Sequence, residues 1–168
     1  MTSKIFKSII LTVLTSIILT VSMFMVVLYN QYTKEISDTL KGQVIYIENG
    51  IILNGVEYLN SIKSNNNRIT LITTDGDVIY DNEKGTARLD NHLEREEIKE
   101  ALALGEGSSK RYSDTMGKEA IYYAKKIDGD MILRVSVLVS TVDALLLGMS
   151  SNIFWIIIIT VIIALLLA

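Results

Sequence analysis

Two stretches without a charged side chain, residues 8–33 and 144–168, most constrain what this chain can fold into. An apolar run of 18 or more residues reads as a membrane span. All 19 acidic residues and 14 of the 16 basic ones fall between the two stretches, so the middle carries 14 − 19 = −5. A simple soluble enzyme does not fit that layout. Nucleic-acid binding does not fit either, because the polar part is acidic and has no basic stripe. The chain has no cysteine and one histidine. This rules out a disulfide framework, a zinc-cysteine site and a multi-histidine metal site.

The first span is expected at 8–29. Its apolar core, roughly 8–28, is twenty-one residues that at about 1.5 Å each cover about 31 Å, enough for the hydrocarbon core. The rival reading is a cleaved signal peptide, which needs a shorter apolar core and a small-residue cleavage site. The flank MFMVVLYNQYTKE is bulky and offers none. Lys4 and Lys7 place residues 1–7 in the cytoplasm by the positive-inside rule. Residues from about 30 to 152 are then extracellular. The second span, 153–168, is short at about 24 Å, and no basic residue follows it. The expectation is a chain cut inside its second membrane helix, entered through a connecting helix at 140–152.

The middle region alternates helical and strand-like patterns. Ile36, Leu40, Val44, Ile47, Ile51, Leu59 and Ile62 recur at mostly three- and four-residue steps, so the membrane helix is expected to continue outward through 30–67. Gly42, Gly50 and Gly55 allow a break. Residues 68–74 and 77–81 read as strands joined by an Asp75-Gly76 turn. Residues 95–104 read as a short helix with Ile98, Ala101 and Leu102 on one face, ended by Gly105 and Gly107. Residues 109–113, 119–127 and 131–139 read as three more strands, with Asp128-Gly129 between the last two. The fold class is α+β: an antiparallel sheet of about five strands with flanking helices, spanning 68–139 between two transmembrane helices.

Several groups bear chemistry. Arg111, Tyr112 and Ser113 lie on one strand, with Arg111 and Ser113 on the same face. They can hold an anion, or Arg111 can pair with a carboxylate such as Asp81. His92, ahead of the short helix, can titrate near neutrality or fix a loop through the backbone. Of Tyr122 and Tyr123, one faces the core and the other faces out or lines a pocket. Arg134 sits in an apolar strand and must reach solvent or a partner, an acidic residue being the first expectation. Glu94, Glu96, Glu97 and Glu100 read as a solvated helix face rather than a cation loop. Asp75, Asp77 and Asp81 read as turn residues. The candidate ligand-binding set is Arg111, Ser113, Tyr123, Asp81 and His92. There is no catalytic or metal set, and no nucleophile elbow, P-loop or metalloprotease motif.

The runs RITLITTDGDVIYDNE, DNHLEREEIKEALALGEGSSKRYSDTMGKEAIYYA and ILRVSV resemble the extracellular sensor region of phosphate-regulon-type (PhoR-type) sensor histidine kinases of Gram-positive bacteria. The matches fall at Arg68-Ile69-Thr70, Asp75-Gly76, Asp81-Asn82-Glu83, Asn91-His92, Arg95, Gly105 to Thr115, and Leu133-Arg134-Val135. Glu96 stands where the family usually has proline, a change the first helical turn accepts. The resemblance implies a PAS-like, single-Cache fold and a homodimer. It implies signal input through the second membrane helix to a cytoplasmic histidine kinase lying beyond residue 168. ATP and Mg would belong to that kinase and not to this region, which needs no cofactor. A response regulator would be its downstream partner, alongside the membrane and an unknown extracellular ligand or protein. His92 is not the phospho-acceptor, since it has no kinase box around it. The alternatives are the input region of a chemoreceptor or a cyclic-dinucleotide enzyme, or an anchored binding protein without enzymatic output.

Overall fold

The structure is a computed structural model, which describes residues 2–62, 67–83, 90–113, 117–139, 154–160 and 162. These residues fall into two compact units. One lies within Met1–Thr33 and Val142–Ala168, the other within Lys34–Thr141.

Helix α1, Thr2–Asn54, contributes to both units. It is the one helix among the described residues that is long and apolar enough to cross a membrane. Ile9, Leu11, Ile18, Leu19 and Met23 are well exposed along it, which suits lipid and would be costly in water. Its threonines hide their polarity inside the helix. The hydroxyls of Thr12, Thr15 and Thr20 each donate to the carbonyl four residues back, at 2.7–2.9 Å, so these three would present no unpaired donor to lipid. Residues 154–160 are helical too. Ile156, Ile157 and Thr160 line a groove with Ser16, Ile17, Thr20 and Val21 of α1. Apart from residue 162, the rest of the second expected span, and the connecting helix at 140–152, lie outside the described residues.

The second unit is built on five antiparallel strands: β1 Arg68–Thr73, β2 Val78–Asp81, β3 Glu106–Ser113, β4 Lys118–Ile127 and β5 Met131–Leu138. Their spatial order is β2-β1-β5-β4-β3, so the first and last strands pair at the centre. Helix α2, Glu96–Leu104, separates β2 from β3 in sequence. The β1–β2 turn uses Gly76 at φ 90°, where a side chain would also strike Asn91 and Leu93. A larger residue is excluded there on both counts.

The two faces of the sheet are covered differently. One is covered by the outer part of α1, which buries Leu40, Val44 and Ile47. Lys41 bonds Glu106, Lys125 bonds Glu48, and Lys41 lies over the Tyr123 ring. The other face is covered by α2. There Ile72, Ala124 and Ile132 of the sheet close a small apolar core with Ile98 and Ala101.

The expected outward helix is shorter than its periodicity suggests. It stops at Asn54, Gly55 takes φ 73°, and a 3-10 turn carries Val56–Ser61. Leu59 is buried in that turn, and its carbonyl accepts the Tyr80 hydroxyl. The apolar residues at 59 and 62 therefore continue the stripe without continuing the α-helix. Strand β3 starts earlier than expected, at Glu106. Gly105 caps α2 in the left-handed conformation, and Gly107 presses directly against the α2 backbone at Glu97 and Ala101. A glycine that reads as a helix stop is here the strand's contact point with the helix.

Candidate functional site

Strand register sorts the α2 face of the sheet into rows. Val78, Ile72 and Ile132 align in an apolar row. The next row runs Asp81–Thr70–Arg134–Ala124–Gly107, and the one beyond runs Arg68–Ser136–Tyr122–Ser109. Alternation makes each of these point the same way. The face thus changes from apolar to polar along the strands. Arg68, Thr70, Arg134 and Ser136 are all buried there, together with Glu97 and His92.

Buried charge has to be paired, and Glu97 is the pivot. It is 0% exposed and accepts four hydrogen bonds. Oε1 takes Arg111 Nη2 at 3.0 Å and Arg134 Nη1 at 3.2 Å. Oε2 takes Ser109 Oγ at 2.6 Å and Arg111 Nε at 3.3 Å. Burial alone would push this carboxyl up. The hydrogen bonds from Arg111 and Ser109, with the charges of Arg134 and Arg111, outweigh burial and hold it at about 2. Burial pulls Arg134 below its ordinary value, against the opposing pull of Glu97. The Tyr122 ring lies under both cations, 4.2 Å from Arg111 and 5.3 Å from Arg134, a cation–π arrangement that a desolvated ring favours.

A second pair stands at the β2 edge. Asp81 Oδ2 accepts Arg68 Nε at 2.8 Å and the Thr70 hydroxyl at 3.1 Å, while Oδ1 accepts the Glu83 amide. His92 lies just before α2, its amide bonded to the Gly76 carbonyl. Burial, then the charges of Arg134, Arg95 and Arg68, lower its pKa to about 4. The imidazole is therefore neutral near pH 7.

These contacts correct several expectations. Arg111 does pair with a carboxylate, but with Glu97 and not Asp81. Asp81 is on β2 and Arg111 on β3, at opposite ends of the sheet order. Four inter-strand steps put roughly 19 Å between them. Glu97 does not belong to a solvated face, because α2 turns it onto the sheet. Arg134 does pair with an acidic residue, the same Glu97. Tyr122 and Tyr123 are both buried, since both sheet faces are covered. Tyr123 donates to Glu106 on the α1 face, and its pKa is raised by burial and by that bond. The candidate set is thus divided. Asp81, Arg111 and Ser113 align with the α2 face, His92 lies beside it, and Tyr123 is on the other side of the sheet.

Four further members of the polar layer are Glu97, Arg68, Thr70 and Ser136. Arg68 carried a signal: a cation opening a strand of buried residues needs an acid across the sheet. Glu97 carried none, because its neighbours Glu94, Glu96 and Glu100 look identical in sequence. No cluster of metal-ligating side chains occurs among the described residues.

No family model and no curated protein matches the chain. Among solved structures it is similar to the extracellular domain of a protein named as a histidine kinase, rpHK1S-Z16. Identity is 12% and the TM-score 0.42, over 51% of this chain and 36% of that one. It is similar also to the Bacillus subtilis YkuI protein, which carries an EAL domain and was solved with c-di-GMP and calcium. Identity there is 14% and the TM-score 0.41, over 64% of this chain and 33% of that one. The chain spans about a third of either solved protein.

Proposed function

We propose that this chain is the signal-input region of a membrane-bound sensor histidine kinase, with a PAS-like, Cache-type domain outside the cell. The observation that carries the reading is α1 itself. The helix that is apolar enough to cross a membrane is also the helix that packs on the sheet. A change in the sheet would have a continuous helix, Thr2–Asn54, along which to act. The sequence matches from Arg68 to Val139 support the same reading. In this scheme, contact with an external cue shifts the domain between two arrangements, and a membrane helix carries the shift inward. The partner is a second copy, aligned along the apolar side of α1 that does not face the sheet.

The test is to read the coding sequence beyond residue 168. A linker, a helix bearing a phospho-accepting histidine and an ATP-binding domain are expected. A methyl-accepting or cyclic-dinucleotide domain would keep the sensor and replace the output. A stop codon would replace the kinase reading with an anchored binding protein.

A further inference from the structure

We propose that the polar half of the α2 face is a receptor site for a small oxyanion, a carboxylate or a phosphate group, held by Arg68, Arg134 and Ser136 with His92 beside them. The inference names the ligand class for the sensor reading above and rests on that reading only for its biological purpose.

Arg68 and Ser136 are register partners across β1 and β5. Arg134 lies two residues from Ser136 on the same face, opposite Thr70. His92 is buried beside the same layer, and the charges of Arg134, Arg95 and Arg68 all act on it. These four side chains are between 1% and 5% exposed. Among the described residues, Arg68 Nη2, Arg134 Nε, Ser136 Oγ and His92 Nδ1 have no hydrogen-bond partner. A buried donor that leaves water without an acceptor forfeits its hydration, and such groups are few in native proteins. Three such donors and one imidazole nitrogen around one patch mark a place where something else is meant to bond.

The chemistry of that something follows from the donors. Arginine donates and never accepts, and the serine hydroxyl is free to donate. The carboxylate already in reach of Arg134 is full. Glu97 accepts four hydrogen bonds, which is the capacity of its two oxygens. Arg134 Nε therefore needs an acceptor that this pivot cannot supply. A cation would meet two guanidinium charges, and an apolar group would leave every donor unpaired. An oxyanion answers both, because its oxygens accept several N–H bonds and guanidinium forks match carboxylate and phosphate geometry. Neutral His92 adds one more polar contact through Nδ1.

The experiment uses the full chain in nanodiscs of zwitterionic lipid. Sodium acetate and inorganic phosphate are the probes, with sodium chloride at matched ionic strength as control. The thermal midpoint of the β-domain should rise saturably with acetate or phosphate and beyond the chloride control, as expected for a ligand that binds only the native state. The probe that acts identifies the source as carboxylate or phosphate. Ser136→Ala removes an unpaired hydroxyl and should fold with an unchanged or higher midpoint without probe. It should bind the active probe about tenfold more weakly, the worth of one hydrogen bond to a charged acceptor. Arg68→Gln keeps a donor towards Asp81 but loses the charge, and should abolish the probe effect. Midpoints that follow ionic strength alone, or a Ser136→Ala variant that binds like the natural chain, would overturn the proposal. Either failure would leave the test on the downstream domains untouched.

Discussion

Arg134 of β5 and Glu97 of α2 meet at 3.2 Å with both side chains closed to solvent. The same carboxylate holds Arg111 of β3. One acidic residue thus pins the short helix to two strands that are not adjacent in the sheet.

Removing that acid should cost more than removing Arg111, the cation at the rim. Glu97→Ala leaves Arg134 buried without its counter-ion, a situation worth about 3–5 kcal/mol. Arg111 is partly solvated at 21% exposure, so Arg111→Ala should cost only about 1–2 kcal/mol and leave the domain folded. Thermal unfolding of both variants, followed by tyrosine circular dichroism, measures the difference. Equal costs would show that Glu97 does not anchor α2 through Arg134.

The pH dependence of stability should begin at the histidine. The folded pKa of His92 is about 4 against an ordinary 6.5. Between those values the unfolded chain binds a proton that the folded chain refuses, so stability falls as pH drops from 6.5 to 4. The loss is on the order of 3 kcal/mol. Glu97 has a depressed pKa, about 2 against 4.5. Its contribution is complete above 4.5 and is lost as pH falls towards 2. The groups facing His92 are Arg134, Arg95, Arg68 and Glu97. Unfolding midpoints from pH 7 to 3 should slope throughout, and His92→Gln should flatten the part above pH 4. A slope unchanged in that variant would assign it to other groups.

The elements of this fold were legible because their signals are local. The Asp75-Gly76 turn, the largely apolar run from Met131 to Leu138 and the three-four spacing of Leu40, Val44 and Ile47 each need only near neighbours in sequence. The polar layer was half legible. Arg134 in an apolar strand announces a buried partner. Which acid serves it depends on strand order, and β5 lies between β1 and β4 for reasons no local pattern contains. Glu97 reads like its exposed neighbours until α2 is laid on Gly107. Tyr123 reads as a neighbour of Arg111 until the two covered faces of the sheet separate them.

Packing rather than charge should hold the outer part of α1 to the sheet. The Lys41–Glu106 pair is nearly half exposed on both sides, and such pairs contribute little. Leu40, one residue away, is 1% exposed. Lys41→Ala should cost less than about 1 kcal/mol, and Leu40→Ala about 2–5 kcal/mol. Denaturant unfolding of the two single variants decides it. A Lys41 effect equal to that of Leu40 would mean that the ion pair with Glu106, and not the apolar stripe, fastens the helix.

The proposed dimer has a surface on α1 where it can be tested. Leu40, Val44 and Ile47 are buried on one side of α1. At about 100° per residue, Gly42, Ile45, Asn49 and Ile52 fall on the opposite side, at alternating three- and four-residue steps. That spacing would suit the seam of the proposed two-helix packing, in which a polar residue such as Asn49 would fix register. Ile45, Ile52 and Leu53 are 42%, 63% and 81% exposed, apolar area that a second copy would cover. In the proposed dimer both copies would enter from the same membrane, so their helices would run parallel and like positions would meet. The chain has no cysteine, so a single Ile52→Cys substitution reports only on contact with its own counterpart. Mild oxidation in membranes should link most of that variant into dimers. Lys118→Cys, exposed at the start of β4, should stay monomeric under the same conditions. Equal linking at both positions would mean random collision, and the seam along α1 would be withdrawn.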